Sequence, residues 1–204
     1  MRTRAGCIAL LVAVLPVITQ AAPLGLFRNH YPLVVSDWIS ISYDPNDPNG
    51  GGNGVFVASG YSNVVNISEG NSHPANFGTF ALTAVIVPSS GEELSGTLLV
   101  TELDGYSNPT TLFSSSTIKD FGFCAEDMFE FLFTQEDGTL APLGATLGII
   151  LDGRNAIGEF SEPRFDISFS GDGSATSDSF YIPEPAGVAL LTLGGLGLLR
   201  RRRS

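Results

Sequence analysis

Apolar and polar residues alternate along several short stretches of this chain, with the period expected of a β-strand that buries one face. Four stretches show the alternation clearly, and their apolar members are predicted to form a core. In chain order these members are Ile39, Ile41 and Tyr43; Phe80, Leu82, Ala84 and Ile86; Phe129, Phe131 and Phe133; and Phe165, Ile167 and Phe169. The residues that alternate with them, among them Trp38 and Thr83, are predicted to lie on the opposite face of their strands.

Clusters of Asp, Asn, Gly, Ser and Pro separate these stretches and predict loops, for example DPNDPNGGGNG at residues 44–54 and SGDGSATSD at residues 170–178. Less regular strand candidates lie at residues 54–59, 61–67, 94–102, 110–115 and 145–151. No segment between the two ends of the chain shows sustained helical periodicity. The pattern therefore predicts an all-β domain over residues 22–181, built as an antiparallel β-sandwich or jelly roll of about eight to ten strands.

The first 21 residues have the three parts of a secretory signal peptide. Arg2 and Arg4 provide the positive region, residues 5–18 are apolar, and Thr19 and Ala21 are the small residues that a signal peptidase reads. The apolar run of 14 residues is short for an uncleaved anchor, because a bilayer core needs roughly 20. The sequence predicts a signal helix over residues 1–21 that is cleaved after Ala21.

The last segment, residues 182–204, combines a Pro-Glu-Pro triplet, an uncharged apolar run and an arginine cluster. The triplet is Pro183, Glu184 and Pro185, and the cluster is Arg200, Arg201, Arg202 and Arg203. A helix over the apolar run would be about 21 Å long, and the arginines would hold its end on the cytoplasmic side of the membrane. The segment is predicted to be a hydrophobic helix that stops transfer during export.

This tail resembles the PEP-CTERM sorting signal of bacteria, which has the same three parts in the same order. The resemblance covers the tail alone and does not extend to the domain before it. It implies that Pro183, Glu184 and Pro185 are recognised by an exosortase, a processing enzyme of the membrane. It also implies that the protein passes transiently through the inner membrane and reaches the cell surface or an exopolysaccharide matrix.

Charge narrows the range of partners once the two ends are removed. The full chain has 10 basic and 21 acidic residues, and residues 22–183 keep 4 basic and 20 acidic ones, a net charge of −16. A surface of this sign repels nucleic acid and anionic lipid headgroups, and it attracts cations. Nucleic acid is therefore excluded as a partner.

One loop offers oxygen ligands of the kind that Ca²⁺ takes. Asp44, Asp47 and Asn49 lie near three consecutive glycines, whose backbone carbonyls can turn toward an ion. The same residue types are also what any long turn prefers. The sequence thus gives two interpretations of this loop, a Ca²⁺ site and a solvated turn, and it indicates no other cofactor.

No motif of the chain specifies a reaction, so the protein is not predicted to be an enzyme. His30 and His73 are its two histidines, and His73 lies in a predicted loop, EGNSHPANFG. The function predicted first is a structural or adhesive role at the cell surface or in the matrix. A carbohydrate-binding module is the alternative, with Trp38 as the sugar-stacking residue, and a polysaccharide-degrading hydrolase is a further one.

Overall fold

The computed structural model describes residues 23–26, 30–89, 91, 93–124, 128–153 and 165–180. The predicted signal helix and the predicted hydrophobic helix of the tail lie outside these residues. In the described part, no helix has the length and apolar character that crossing a membrane requires. A 3₁₀ turn, Pro48–Gly50, and nine strands are present there: β1 (Leu33–Asp44), β2 (Gly54–Ser68), β3 (Asn71–Ile86), β4 (Glu93–Leu103), β5 (Pro109–Ser115), β6 (Ile118–Cys124), β7 (Met128–Thr134), β8 (Thr146–Asp152) and β9 (Phe169–Phe180).

The nine strands form one antiparallel sheet in the order β5-β4-β3-β2-β1-β9-β8-β7-β6. Strands β5 and β6 stand at opposite ends of this order, yet only Ser116 and Thr117 join them along the chain. Two residues span less than about 10 Å even when extended. The sheet must therefore curl until the end of β5 lies close to the start of β6, and it has the shape of a half-barrel.

Phenylalanine rings from the two halves of the curled sheet meet in its interior. The ring centroid of Phe56 on β2 lies 5.0 Å from that of Phe129 and 5.3 Å from that of Phe131, both on β7. Phe129 also stacks on Phe169 of β9 at 5.6 Å. Aromatic pairs at these separations add to the stabilisation from burial, so these rings hold the two halves of the sheet against each other.

The prediction of an all-β antiparallel domain is confirmed, and so is the burial of the alternating residues in β1, β3 and β7. The arrangement differs from a sandwich of two separate sheets. Strands β1 and β9 are hydrogen-bonded from the pair Leu33–Asp178 to the pair Tyr43–Phe169. This long pairing joins the two halves into one continuous sheet.

The prediction of a loop at residues 170–178 is wrong, because these residues belong to β9. The strand lies between β1 and β8 and is paired on both sides. A Cβ atom at Gly173 would lie 2.1 Å from the carbonyl oxygen of Asp152, so the close approach of β8 requires glycine there. The small residues that suggested a turn allow this close approach of the strands. Contacts with the neighbouring strands override the local preference of these residues for a turn.

The predicted strand around Phe165 and Ile167 is also wrong. Residues 165–167 form a turn before β9, and Ile167 is exposed. Phe165 and Phe169 are both buried, as the alternation predicted. Two buried phenylalanines four positions apart fit a turn leading into a strand as well as one strand, so periodicity alone did not separate the two cases.

Tyr43 gives the fold a testable dependence on alkaline pH. Its side chain is buried, and its hydroxyl donates a hydrogen bond to the carbonyl oxygen of Phe165 at 2.9 Å. Burial, followed by the nearby charges of Asp44 and Asp166, raises the pKa of Tyr43 to about 12. The unfolded chain loses this proton near pH 10, so the folded state binds more protons between pH 10 and 12.

We expect the free energy of unfolding to fall by about 2 kcal/mol from this group as the pH rises from about 10 to about 12, and to be unaffected by it below pH 10. Urea unfolding at pH 9 and pH 11.5 measures the change. In Tyr43→Phe the fall should be smaller by that amount. Equal pH dependence in the two proteins would contradict the assignment.

Candidate functional site

Trp38 lies on a β-bulge of β1 that turns its side chain outward. The pairing of β1 shifts by one residue between Asp37 and Ser40 relative to β2, and the shift recurs against β9. The backbone of Trp38 has φ 53°, a conformation that bulky residues rarely adopt and that costs on the order of 1 to 3 kcal/mol. The indole is 69% exposed, as predicted, so the strain is not offset by burial of this side chain.

Phe77 lies on a second bulge, in the neighbouring part of β3. Two extra residues of β3 interrupt its pairing with β2 between Pro74 and Gly78. Asn76 and Phe77 both have positive φ, 51° and 61°. The side-chain amide of Asn76 donates a hydrogen bond to the carbonyl oxygen of Leu103 at 3.1 Å. The bulge is therefore tied to the end of β4.

Glycines allow the backbone approaches that form both bulges. A Cβ atom at Gly60 would lie 2.6 Å from the carbonyl oxygen of Trp38, and one at Gly78 would lie 2.0 Å from that of Thr101. Neither position can accept a side chain unless the backbone moves. The positions of Trp38 and Phe77 thus depend on residues of the adjoining strands.

The two bulges and β2 together present three exposed aromatic rings, Trp38, Tyr61 and Phe77, which we call the aromatic patch. Trp38 and Phe77 are nearly parallel, with 10° between planes and 6.2 Å between centroids. Tyr61 meets Phe77 edge to face at 6.0 Å. Phe77 is 59% and Tyr61 49% exposed. Apolar clusters of this kind on a protein surface mark binding sites more often than isolated exposed residues do.

A polar pair borders the aromatic patch. Asp37 is the register partner of Tyr61, and its carboxylate accepts a hydrogen bond from the side-chain amide of Asn63 at 2.9 Å. The carbonyl oxygen of the Asn63 side chain is buried and makes no hydrogen bond within the described residues. The patch therefore combines ring faces with a fixed carboxylate and amide, which suits a ligand with both apolar faces and hydroxyl groups.

The side chains of the proposed Ca²⁺ loop stabilise turns. Asp44 accepts a hydrogen bond from the backbone of Asn46 at 2.9 Å. Asp47 accepts one from the backbone N–H of Asn49 at 2.8 Å and one from its side chain at 2.9 Å. No group of three or more His, Cys, Asp or Glu side chains among the described residues is arranged to hold a metal ion. Ca²⁺ binding stays a prediction, to be checked by calorimetric titration, and the hydrogen bonds account for these residues as turn formers.

One other residue from the sequence analysis has a different position from that predicted. His73 lies in β3 rather than in a loop, and its Nε2 is 2.9 Å from a carboxylate oxygen of Glu102 on β4. The sorting residues Pro183, Glu184 and Pro185 and the cluster Arg200–203 lie outside the described residues.

Sequence reasoning identified Trp38 and missed Phe77. The alternation of β1 indicated that Trp38 faces outward, whereas the bulge that exposes Phe77 depends on its pairing with β2. The signal that could have revealed it is the interval ANFG, residues 75–78, in which Asn tolerates positive φ and Gly allows a close approach. Comparison with protein-family models, with curated proteins and with solved structures finds no match for this chain.

Proposed function

We propose that this chain is an exported β-domain that adheres to polysaccharide at the cell surface or in the matrix, and that the aromatic patch is its binding site. The observation that supports this function is the contact of three exposed rings that strained bulges hold in place. Strain of this kind is concentrated at functional sites, where the surrounding structure maintains it. A purely structural domain gains nothing from exposing Trp38 and Phe77 together.

Sugar rings have the chemistry that the patch would recognise. A pyranose ring has an apolar face of C–H groups, which stacks on an aromatic ring, and a rim of hydroxyls, which hydrogen-bonds to groups such as Asp37 and Asn63. The net charge of −16 over residues 22–183 disfavours anionic polymers, nucleic acid and anionic lipids as ligands. An uncharged polysaccharide fits both the patch and the charge.

Replacement of Trp38 by alanine tests the proposed function. We expect the purified protein to bind uncharged glycans on an array and the variant to bind them at least about 30-fold more weakly, the effect of removing a central aromatic anchor. The matched control is Tyr106→Ala, which removes an aromatic ring that is even more exposed than Trp38 (89% against 69%) from the β4–β5 turn. Its binding should be unchanged. Absence of glycan binding by the unmodified protein, or equal loss in both variants, would refute the function.

Export is the second part of the proposal and rests on the two ends of the sequence. The signal helix of residues 1–21 would direct secretion, and the hydrophobic helix of residues 182–204 would hold the protein in the inner membrane until an exosortase-type enzyme acts at Pro183, Glu184 and Pro185. We expect mass spectrometry of the surface fraction from the native host to find a carboxyl terminus near this triplet. A surface protein that still ends at Ser204 would contradict this step.

A further inference from the structure

A concave surface, which we call the outer groove, lies on the outer face of the sheet near the start of β2. Its volume is about 430 Å³. Val55, Val57 and Val85 are half-buried and give it an apolar surface, and Thr83 and Thr97 add hydroxyl groups that lie 2.6 Å from each other. Like the aromatic patch, the outer groove thus offers apolar and hydroxyl-binding surface side by side.

Two turns border the outer groove, and internal hydrogen bonds hold both in place. On one side are Asp47 and Asn49, joined by the hydrogen bonds already described. On the other is Ser116, whose backbone N–H and hydroxyl donate to the carboxylate of Glu136 at 2.9 and 2.7 Å. The hydroxyl of Thr117 donates to the same carboxylate, and these bonds, that of Thr117 first, lower the pKa of Glu136. A groove with fixed borders needs little ordering when a ligand binds.

The outer groove and the aromatic patch are connected along β2. Side chains on one face of a strand recur every second residue, so Tyr61, Ser59 and Val57 follow one another on the outer face, with about 13 Å from Tyr61 to Val57. The register partners of Ser59 are Ser40 on β1 and Ala81 on β3. All three of these side chains are small, so in this row no bulky group on β1, β2 or β3 separates the aromatic patch from the outer groove, and the next member of the row is Leu99 on β4.

We propose that the outer groove is a second subsite of the same binding surface, and that the ligand is a linear, uncharged polysaccharide lying along β2 and β3. The inference rests on the proposed function and deepens it, because it specifies a chain of several sugar units where the aromatic patch alone needs one or two. One end of the chain stacks on the aromatic patch. The other lies on the valines of the outer groove and hydrogen-bonds to the hydroxyls beside them.

The position of this surface in the sheet argues against an extended peptide as the occupant. Peptides that bind sheets in an extended form add a strand to an exposed edge. Strands β2 and β3 are not edge strands, because β1 is hydrogen-bonded to β2 and β4 is hydrogen-bonded to β3. A ligand on this face therefore meets side chains only. A polysaccharide has repeated sugar rings with apolar faces and hydroxyl rims, and these match the aromatic, valine and threonine side chains of the surface.

The experiment measures how affinity depends on ligand length, with cello-oligosaccharides from the disaccharide to the longest soluble member as probes. Calorimetry with the purified full chain should show affinity rising by about tenfold or more with length and then levelling off once the ligand covers both subsites. In Thr97→Lys, a long side chain occupies the outer groove, and the gain with length should disappear while disaccharide affinity is unchanged. In Thr83→Ala, a smaller change, part of the gain in affinity with ligand length should be lost.

Ser72→Lys is the matched control, since it adds the same charge at an exposed position at the far end of β3, and it should keep the full length dependence. Affinity that is equal for short and long oligosaccharides, with Trp38→Ala still abolishing binding, would overturn the second subsite and leave the proposed function intact. Absence of binding at every length together with absence from the glycan array would overturn both. Self-association that Trp38→Ala abolishes, with no glycan bound, would assign the surface to a second copy of the chain and likewise overturn both.

Discussion

Replacement of Phe131 by alanine should lower the free energy of unfolding by about 3 to 5 kcal/mol, the cost of removing a fully buried phenylalanine from a packed core. Phe131 is fully buried, and its ring centroid lies 4.8 Å from that of Phe121 on β6 and 5.3 Å from that of Phe56 on β2. It therefore joins strands from both halves of the curled sheet. Urea unfolding followed by circular dichroism measures the change.

Thr83→Ala is the control for this experiment. Thr83 is exposed on the outer face of β3, and its hydroxyl forms a hydrogen bond with the hydroxyl of Thr97. The substitution should change the free energy of unfolding by about 0.5 kcal/mol or less. A loss at Phe131 no larger than this would show that the interior of the sheet is not the core that stabilises the protein.

Glu130 is expected to give the second large effect, because it attaches the beginning of the domain to the outside of the sheet. Its side chain is buried, and its carboxylate accepts hydrogen bonds from the backbone N–H groups of Leu24, Gly25 and Leu26. The last two bonds are 3.0 and 2.9 Å long. Hydrogen bonds to a charged acceptor are the stronger kind, and a carboxylate that receives three of them fixes a segment with little other structure.

Glu130→Ala should lower the free energy of unfolding by about 2 to 3 kcal/mol. Each bond to a charged group contributes about 1.5 to 3 kcal/mol, and water replaces part of this in a half-exposed segment. Amide hydrogen exchange at residues 24–26 should speed up in the variant. Glu69→Ala removes an exposed glutamate from the β2–β3 turn and should leave stability and exchange unchanged. Unchanged exchange at residues 24–26 in Glu130→Ala would show that the attachment is not made in solution.

Glu130 also shows where reasoning from the sequence ends. The alternation of β7 puts Glu130 on the face opposite Phe129 and Phe131, yet its side chain is buried. It does not predict that the outer face is covered at this point. The covering segment lies more than 100 residues earlier in the chain, and a period of two carries no information about contacts over such a distance.

The binding surface also has features that the sequence predicts and features that depend on pairing between strands. Local alternation predicts the outward direction of Trp38 and Thr83, and both side chains are exposed. The meeting of Trp38, Tyr61 and Phe77 follows from bulges whose geometry is set by pairing between strands. Because a bulge changes the register of a whole strand, neighbours across it cannot be deduced from either strand alone.

The sequence by itself determined that the alternating apolar residues of β1, β3 and β7 are buried, because side chains of a strand alternate between two faces and apolar groups gain free energy when they leave water. It also determined the antiparallel all-β class, through short strands separated by turn residues. Only the tertiary structure decided that residues 170–178 form a strand, that β1 and β9 join the halves into one curled sheet, and that three aromatic rings meet on its outer face. Those features depend on hydrogen bonds and close approaches between segments far apart in the chain, and for them the neighbouring strands, rather than the local residues, supply the deciding free energy.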